Sequence, residues 1–293
     1  MTTPLPTPPT RPHRTHRPFT PLPGIAVVPT LFTLGNLVCG FAAIHYASKP
    51  IGESAILGWS TLTIAGSLVI AGMLFDAIDG FAARITGSAS EFGAQLDSMA
   101  DMVTFGVAPA FMMLRLVSFY YGGPEHYTGI LGPDADNAYG KIIWGVAAFY
   151  ICCTALRLAR FNAETTSLDE EDHRYFRGLP SPGAGGTIAS LTLLHQHLMV
   201  ARFHEVPPDG FERTSALILP LVTLLVSAAM ISRARYWHLV NRYLRGRQPF
   251  AAVAWAILPI AFAMWWFQVA IAVSFTLYAL SAPAAWAFRR LRA

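Results

Sequence analysis

Polar and apolar positions in this chain come in blocks rather than in alternation. Apolar runs recur that are long enough to cross a bilayer as a helix, which takes about 20 residues. Eight such runs are read, at 28–48, 57–83, 92–118, 141–160, 183–202, 214–232, 249–265 and 267–287. The last two share one unbroken stretch, "FAAVAWAILPIAFAMWWFQVAIAVSFTLYALSAPAAWAF", and the break is placed near Trp265 to Gln268. The pattern predicts an all-α, polytopic membrane helical bundle of about eight transmembrane helices.

The placement of positive charge orients the bundle. With the N-terminus in the cytoplasm, the inside segments hold Arg11, Arg14, Arg17, Arg84, Arg157, Arg160, Arg174, Arg177, Arg233, Arg235, Arg242, Arg245, Arg247, Arg289, Arg290 and Arg292. The outside segments hold Lys49, Lys141, Arg202 and Arg213. That imbalance follows the positive-inside rule and puts both the N- and C-termini in the cytoplasm. Seven spans would carry Arg289, Arg290 and Arg292 outside and weaken the bias. The start, "MTTPLPTPPTRPHRTHRPFTPLPG", is rich in Pro, Thr, Arg and His, so it cannot bury a core. Three regions are expected: a disordered Pro/Arg-rich tail over 1–27, a six-helix catalytic core over 28–232, and a basic loop with a C-terminal helical hairpin over 233–293. The loop 161–182 has room for a short interfacial helix.

Composition agrees with a membrane protein. The chain is 54% hydrophobic and 13% charged, where a soluble domain carries about 25% charge. No basic segment with interleaved aromatics is present, so nucleic acid is not an expected partner. Cys39, Cys152 and Cys153 lie in apolar runs without zinc-ligand spacing and are expected to be small buried hydrophobes. His13 and His16 belong to the tail. His195 and His197 face other helices and receive no chemistry, and Arg115 lies deep in the third span.

Against this background, "DAIDGFAARITGSASEFGAQLDSMAD" at 76–101 stands out. Its Asp76, Asp79, Asp97 and Asp101 are the acids of the predicted spans, and intramembrane carboxylates mark function. Asp76 and Asp79 are spaced i, i+3; Asp97 and Asp101 are spaced i, i+4. Each pair shares a helix face. The short linker around "TGSASE" makes the two helices antiparallel neighbours, so the four carboxylates converge near their cytoplasmic end. Crowded anions repel, and divalent cations relieve the repulsion. An all-oxygen donor set suits Mg²⁺ or Mn²⁺, and two such ions would clamp a phosphoryl group. Gly80, Ala82, Ala83 and Gly93 leave room beside the acids, either for close helix packing or for a flat ligand. Arg84 is placed to meet phosphate oxygens or to anchor the span.

The run Asp76-x₂-Asp79-Gly80-x₂-Ala83-Arg84-x₈-Gly93-x₃-Asp97-x₃-Asp101 resembles the signature of the CDP-alcohol phosphatidyltransferases. The resemblance implies that an alcohol attacks the phosphorus next to diacylglycerol in a CDP-linked lipid and that CMP leaves. It implies two metal ions (Mg²⁺ or Mn²⁺) on Asp76, Asp79, Asp97 and Asp101, with Asp101 as the base. It further implies a CDP pocket at Asp76, Gly80, Ala83, Arg84 and Gly93, with Asn36 touching the nucleotide or hydrogen-bonding between helices. It also implies a homodimer.

"PTLFTLGNLVCGF", "ALRLARFN" and "FRGLPSPGAGG" resemble the phosphatidylserine synthase branch, so the resemblance covers roughly 29–186. CDP-diacylglycerol and L-serine are then the expected substrates, in a bacterial-type inner membrane with the active site facing the cytoplasm. A serine zwitterion needs a cationic clamp for its carboxylate. Arg157 and Arg160, spaced i, i+3, can face one pocket with Asn162 and Ser181; equally, the arginines can be topological anchors and "GLPSP" a rigid turn. Choline, inositol phosphate or glycerol phosphate are alternative acceptors for the same machinery. A carboxylate-lined cation transporter is the alternative from another class.

Overall fold

The computed structural model describes residues 27–51, 54–56, 58–86, 90–121, 130–165, 175–202, 211–232, 234–237 and 266–291. The tail up to residue 26 and the seventh expected span, 249–265, lie outside the described residues. The chain is an all-α polytopic membrane protein. Its helices are α1 (Val27–Ser48), α2 (Thr61–Thr86), α3 (Glu91–Asp101), α4 (Ala108–Tyr121), α5 (Ala138–Thr165), α6 (Ser181–Arg202), α7 (Phe211–Ile231) and α8 (Phe267–Leu291). Five stretches are long and apolar enough to cross a membrane: Val28–Ser48, Thr61–Ala83, Glu91–Tyr121, Ala138–Ala163 and Thr214–Ile231. Two short antiparallel ladders add to the helical pattern. One pairs β1 (Ser54–Ile56) with β2 (Trp59–Ser60), and the other pairs β3 (Tyr175–Arg177) with β4 (Arg235–Trp237). The second ladder ties the loop before α6 to the loop after α7, where the sequence had room for an interfacial helix.

The third expected span is one rod with a change of winding inside it. Ser90 starts α3 by accepting the Gly93 amide at 3.0 Å, which satisfies one of the orphan donors of a helix start. Directly after Asp101 the chain makes a π-helical turn over Met102–Val107, then resumes as α4. Pro109 contributes to the irregularity. It has no N–H to offer the Phe105 carbonyl one turn back, and the Tyr150 hydroxyl of α5 donates to that oxygen at 2.6 Å. Without water in the bilayer core, such a freed carbonyl must find a partner within the protein.

This rod is the centre of the bundle. Phe105, Met112, Met113, Leu116 and Val117 are buried on it. Helices α1 and α2 pack together along their lengths, α5 against α7, and α6 against both α2 and α8. Thr104 of the π-helical turn wedges between α1 and α2. A methyl added at Gly40 would fall 2.8 Å from the Thr104 Cα, and one at Gly72 would fall 2.6 Å from its Cγ2. Only glycine permits that approach. Large apolar side chains such as Val38, Phe41, Leu74, Phe81 and Leu221 point outward and are exposed. A lipid-facing surface is where such residues belong, since a bilayer imposes no cost on them.

Candidate functional site: a carboxylate cluster braced by α1

Asp76 and Asp79 lie in the C-terminal half of α2 and Asp97 and Asp101 in the C-terminal half of α3, and α1 packs against both helices. Asp76, Asp97 and Asp101 each bring a carboxylate oxygen within 4.8 Å of the others. Asp79 and Asp101 are each 6% exposed. Two side chains of α1 reach across to them. The Thr33 hydroxyl donates to Asp79 Oδ2 at 2.8 Å, and the Asn36 amide donates to Asp101 Oδ1 at 3.2 Å. Asn36 is itself held by its backbone, because the Thr104 hydroxyl donates to the Asn36 carbonyl at 2.9 Å. Helix α1, the π-helical turn and the two acid-bearing helices therefore form one hydrogen-bonded brace.

The donor set fits a hard divalent cation. Its ligand atoms are all carboxylate oxygens, as Mg²⁺ and Mn²⁺ prefer. Asp97 Oδ1 is buried and has no hydrogen-bond partner among the described residues, and an unsatisfied anionic oxygen in a low-dielectric site is costly unless a cation meets it.

The expected ligand-pocket residues are distributed unevenly around this cluster. Gly80 has open space, since a methyl there would meet nothing within 4 Å. Gly93 and Ala83 are half-buried nearby, and a methyl at Gly93 would touch Ser90 Oγ at 3.1 Å. Arg84 falls in the last turn of α2; its side chain lies outside the described residues. Asn36 is 0% exposed and directed at Asp101. Arg157 is buried, within electrostatic range of both Asp76 and Asp101. Its Nη1 donates to Ser181 Oγ at 2.5 Å, and its guanidinium lies over the Phe161 ring at 5.8 Å.

Arg160 takes a different course from Arg157. Its guanidinium reaches the C-terminal end of α7, donating to the Met230 carbonyl at 3.5 Å and the Ile231 carbonyl at 3.4 Å. The last carbonyls of a helix are unsatisfied and carry partial negative charge, so a cation settles there. Asn162 turns to α3 instead, donating to Ser98 Oγ at 2.9 Å, one residue beyond Asp97. Thr33, Ser98 and Thr104 were not singled out by sequence reasoning. Thr33 had a readable signal: it lies three residues before Asn36, on the same face of an otherwise apolar helix.

Fold and cluster together define a class: a polytopic membrane protein with an acidic site drawn from α2 and α3 and braced by α1, suited to binding divalent cations. A family profile described as CDP-alcohol phosphatidyltransferase matches residues 26–206. The chain belongs to the CDP-alcohol phosphatidyltransferase family, and it is accordingly a phosphotransferase enzyme of a family that uses divalent metal ions. Among its relatives, a Helicobacter pylori protein named CDP-diacylglycerol–serine O-phosphatidyltransferase is 30% identical over 216 residues, which is 74% of this chain and 74% of the relative. A Bacillus subtilis protein of the same name is 34% identical over 174 residues, covering 59% of this chain and 80% of the relative. One from Methanocaldococcus jannaschii is 30% identical over 170 residues, covering 58% and 62%.

Proposed function

We propose that this enzyme transfers the phosphatidyl group of CDP-diacylglycerol to the hydroxyl of L-serine, giving phosphatidylserine and CMP. The observation that carries the reading is the juxtaposition of the Asp76, Asp97 and Asp101 cluster with a buried Arg157 bonded to Ser181. Three relatives that share the name of that activity support it.

Asp76, Asp79, Asp97 and Asp101 would hold two divalent ions, Mg²⁺ or Mn²⁺. When bound, they neutralise the diphosphate and the charge that develops on the leaving group. Asp101 accepts the proton of the serine hydroxyl, for which a high-pKa alcohol needs an adjacent base. The serine oxygen forms its bond to the phosphorus that bears diacylglycerol, the bond from that phosphorus to the CMP oxygen breaks, and CMP leaves with the electron pair. Arg157 receives the serine carboxylate, and Ser181 fixes the guanidinium for it. Arg160 and Asn162 act at one remove, Arg160 by holding the end of α7 and Asn162 by holding Ser98 beside Asp97. The open face of Gly80, with Asp76, Ala83, Arg84 and Gly93, admits the CDP moiety. Asn36 serves the nucleotide site through Asp101, which it orients.

Eight spans with both termini in the cytoplasm, a site facing the cytoplasm, and a bacterial-type inner membrane complete the reading, with core 28–232 and hairpin 233–293 as its regions. A homodimer is proposed on the family resemblance. The test is purified protein with CDP-diacylglycerol, Mg²⁺ or Mn²⁺, and one labelled acceptor at a time. CMP release with serine is expected. Release with glycerol 3-phosphate, choline or inositol phosphate instead would reassign the acceptor. Cation flux in liposomes with no CMP from any acceptor would replace the enzyme reading by a transporter.

A further inference from the structure

Helix α8 lies beyond the matched segment 26–206, yet it packs on α6 inside that segment. Its Ala272, Ala279 and Ala282 are buried while Leu277 and Leu280 are exposed, so one face is committed to the protein. Two hydrogen bonds hold that face in place. The Thr187 hydroxyl of α6 donates to the Phe275 carbonyl at 3.4 Å, and the buried Tyr236 of β4 donates its hydroxyl to the Ala279 carbonyl at 3.1 Å. Small residues of α6 receive the rings of α8: a methyl added at Gly183 would lie 2.9 Å from Tyr278 Cε1.

At Gly186 the contact reaches a third helix. A methyl there would lie 2.7 Å from Phe275 Cζ and 2.7 Å from Met73 Cε of α2. The two side chains converge on one point over bare backbone, no farther apart than twice that distance. Met73 belongs to the side by which α2 lies along α6. Gly66, two turns earlier in α2, faces Leu193 of α6, whose Cγ would be 2.8 Å from a methyl added at the glycine. Residues 66 and 73 of α2 thus meet 193 and 186 of α6, an antiparallel seam that α8 covers at Phe275. Asp76 follows Met73 at i, i+3, on the neighbouring side of α2 one turn further along.

We propose that Phe275 is a positioning residue for the carboxylate cluster: its ring fills the seam between α2 and α6 and, through Met73, fixes the part of α2 that carries Asp76. This rests on the reading of the cluster as a divalent-cation site. Protein interiors are close-packed, so removing the ring leaves a space into which the flexible Met73 side chain and the helix behind it relax. Helical backbone hydrogen bonds tie successive turns together, and a shift at Met73 is carried to Asp76. The Asp76 oxygen lies within 4.8 Å of those of Asp97 and Asp101, and that spacing is what a shared cation requires. The C-terminal helix therefore sets cation affinity from outside the cluster, while the aspartates on α2 and α3 do the binding.

The experiment titrates the purified full chain with Mn²⁺ in the absence of substrates, free Mn²⁺ being read by electron paramagnetic resonance. Phe275→Ala should weaken Mn²⁺ binding on the order of tenfold, the low end of what losing an outer support of a metal site costs. Phe275→Val should show the same loss in smaller measure, and it decides the matter if the alanine variant is not recovered folded. Met73→Ala should weaken binding to a similar extent. The double variant Met73→Ala/Phe275→Ala should be no weaker than the weaker of the two single ones, because both act through one contact. Leu277→Ala, on the exposed face of α8, should bind as the wild type does. Wild-type affinity in a folded Phe275→Ala or Phe275→Val variant overturns the proposal, and so do losses that multiply in the double variant. Absence of Mn²⁺ uptake by the wild type would sink the cation reading of the cluster and this proposal with it; uptake by the wild type with unchanged affinity in the variants sinks this proposal alone.

Discussion

Replacing Gly40 by alanine tests whether the fit of α1 against the π-helical turn sets the position of Asp101. The new methyl would lie 2.8 Å from the Thr104 Cα and 2.9 Å from its amide nitrogen. Both are backbone atoms, so no rotamer change relieves the clash. Ordinary contact begins near 3.4 Å, and α1 must therefore retreat by roughly half an ångström in a close-packed interior. Asn36 lies one helical turn back on the same face. Its bond to Asp101 is already 3.2 Å long, and that displacement carries it past useful length. A hydrogen bond to a charged acceptor contributes about 1.5–3 kcal/mol, which corresponds to a rate loss of roughly 10- to 100-fold if it is fully expressed in the transition state. CMP release at saturating substrates should show that fall in kcat. A folded, membrane-inserted protein should still be recovered, because overpacking of this kind costs about 1–3 kcal/mol. Gly145→Ala on α5 is the control: nothing lies within 4 Å of the added methyl, and kcat should stay at the wild-type value. A folded Gly40→Ala variant with wild-type kcat would refute the reasoning.

Asp97→Asn removes an anionic ligand from the cluster and should cut turnover by at least about 10³-fold with normal membrane insertion, as loss of a main electrostatic stabiliser does; substantial activity in that variant would contradict the metal reading. Thr33→Val deletes the hydrogen bond to Asp79 without changing shape, and the concentration of Mg²⁺ or Mn²⁺ giving half-maximal activity should rise about 10- to 100-fold, the usual effect of losing a group that orients a ligand. Chelation with EDTA should abolish CMP release, and adding back Mg²⁺ or Mn²⁺ should restore it; activity that survives exhaustive chelation counts against the cluster as a cation site. Gly178→Ala meets two obstacles, a φ of +86° and the Met230 carbonyl in the path of the new methyl. It should cost on the order of 2 kcal/mol, read as a lowered melting temperature, and an unchanged melting temperature would show that the β3–α6 turn adapts freely.

The acids were legible because helical spacing is a local property. Two carboxylates at i, i+3 and two at i, i+4 each share a helix face, and tertiary packing then brings Asp76, Asp97 and Asp101 together. The apolar blocks likewise gave the positions of α1, α2, the α3–α4 rod, α5 and α7, because length and composition decide what can cross a bilayer. The braces around the acids were not legible. Thr33 to Asp79 and Asn36 to Asp101 join residues 46 and 65 positions apart, and no local pattern encodes which helix faces which. Arg157 and Arg160 illustrate the limit best. Their spacing puts both on one face of α5, but side chains this long separate at their tips, and the carbonyls ending α7 compete for one of them. The docking of α8 on the glycines of α6 was hidden for the same reason: small residues announce that something packs closely, and tertiary structure alone says what.

A helix of uniform pitch repeats its faces from end to end, so acids at one end and core residues at the other would be locked in a single angular relation. The wide turn over Met102–Val107 introduces a phase step into one uninterrupted rod. Before the step, Asp97 and Asp101 look toward α1 and α2; after it, Met112, Met113 and Leu116 look into the apolar interior. Such a turn spaces its hydrogen bonds one residue wider than an α-helix does, so deleting a single residue there should let the rod run on as plain α-helix and remove the offset that seats Thr104 between Gly40 and Gly72.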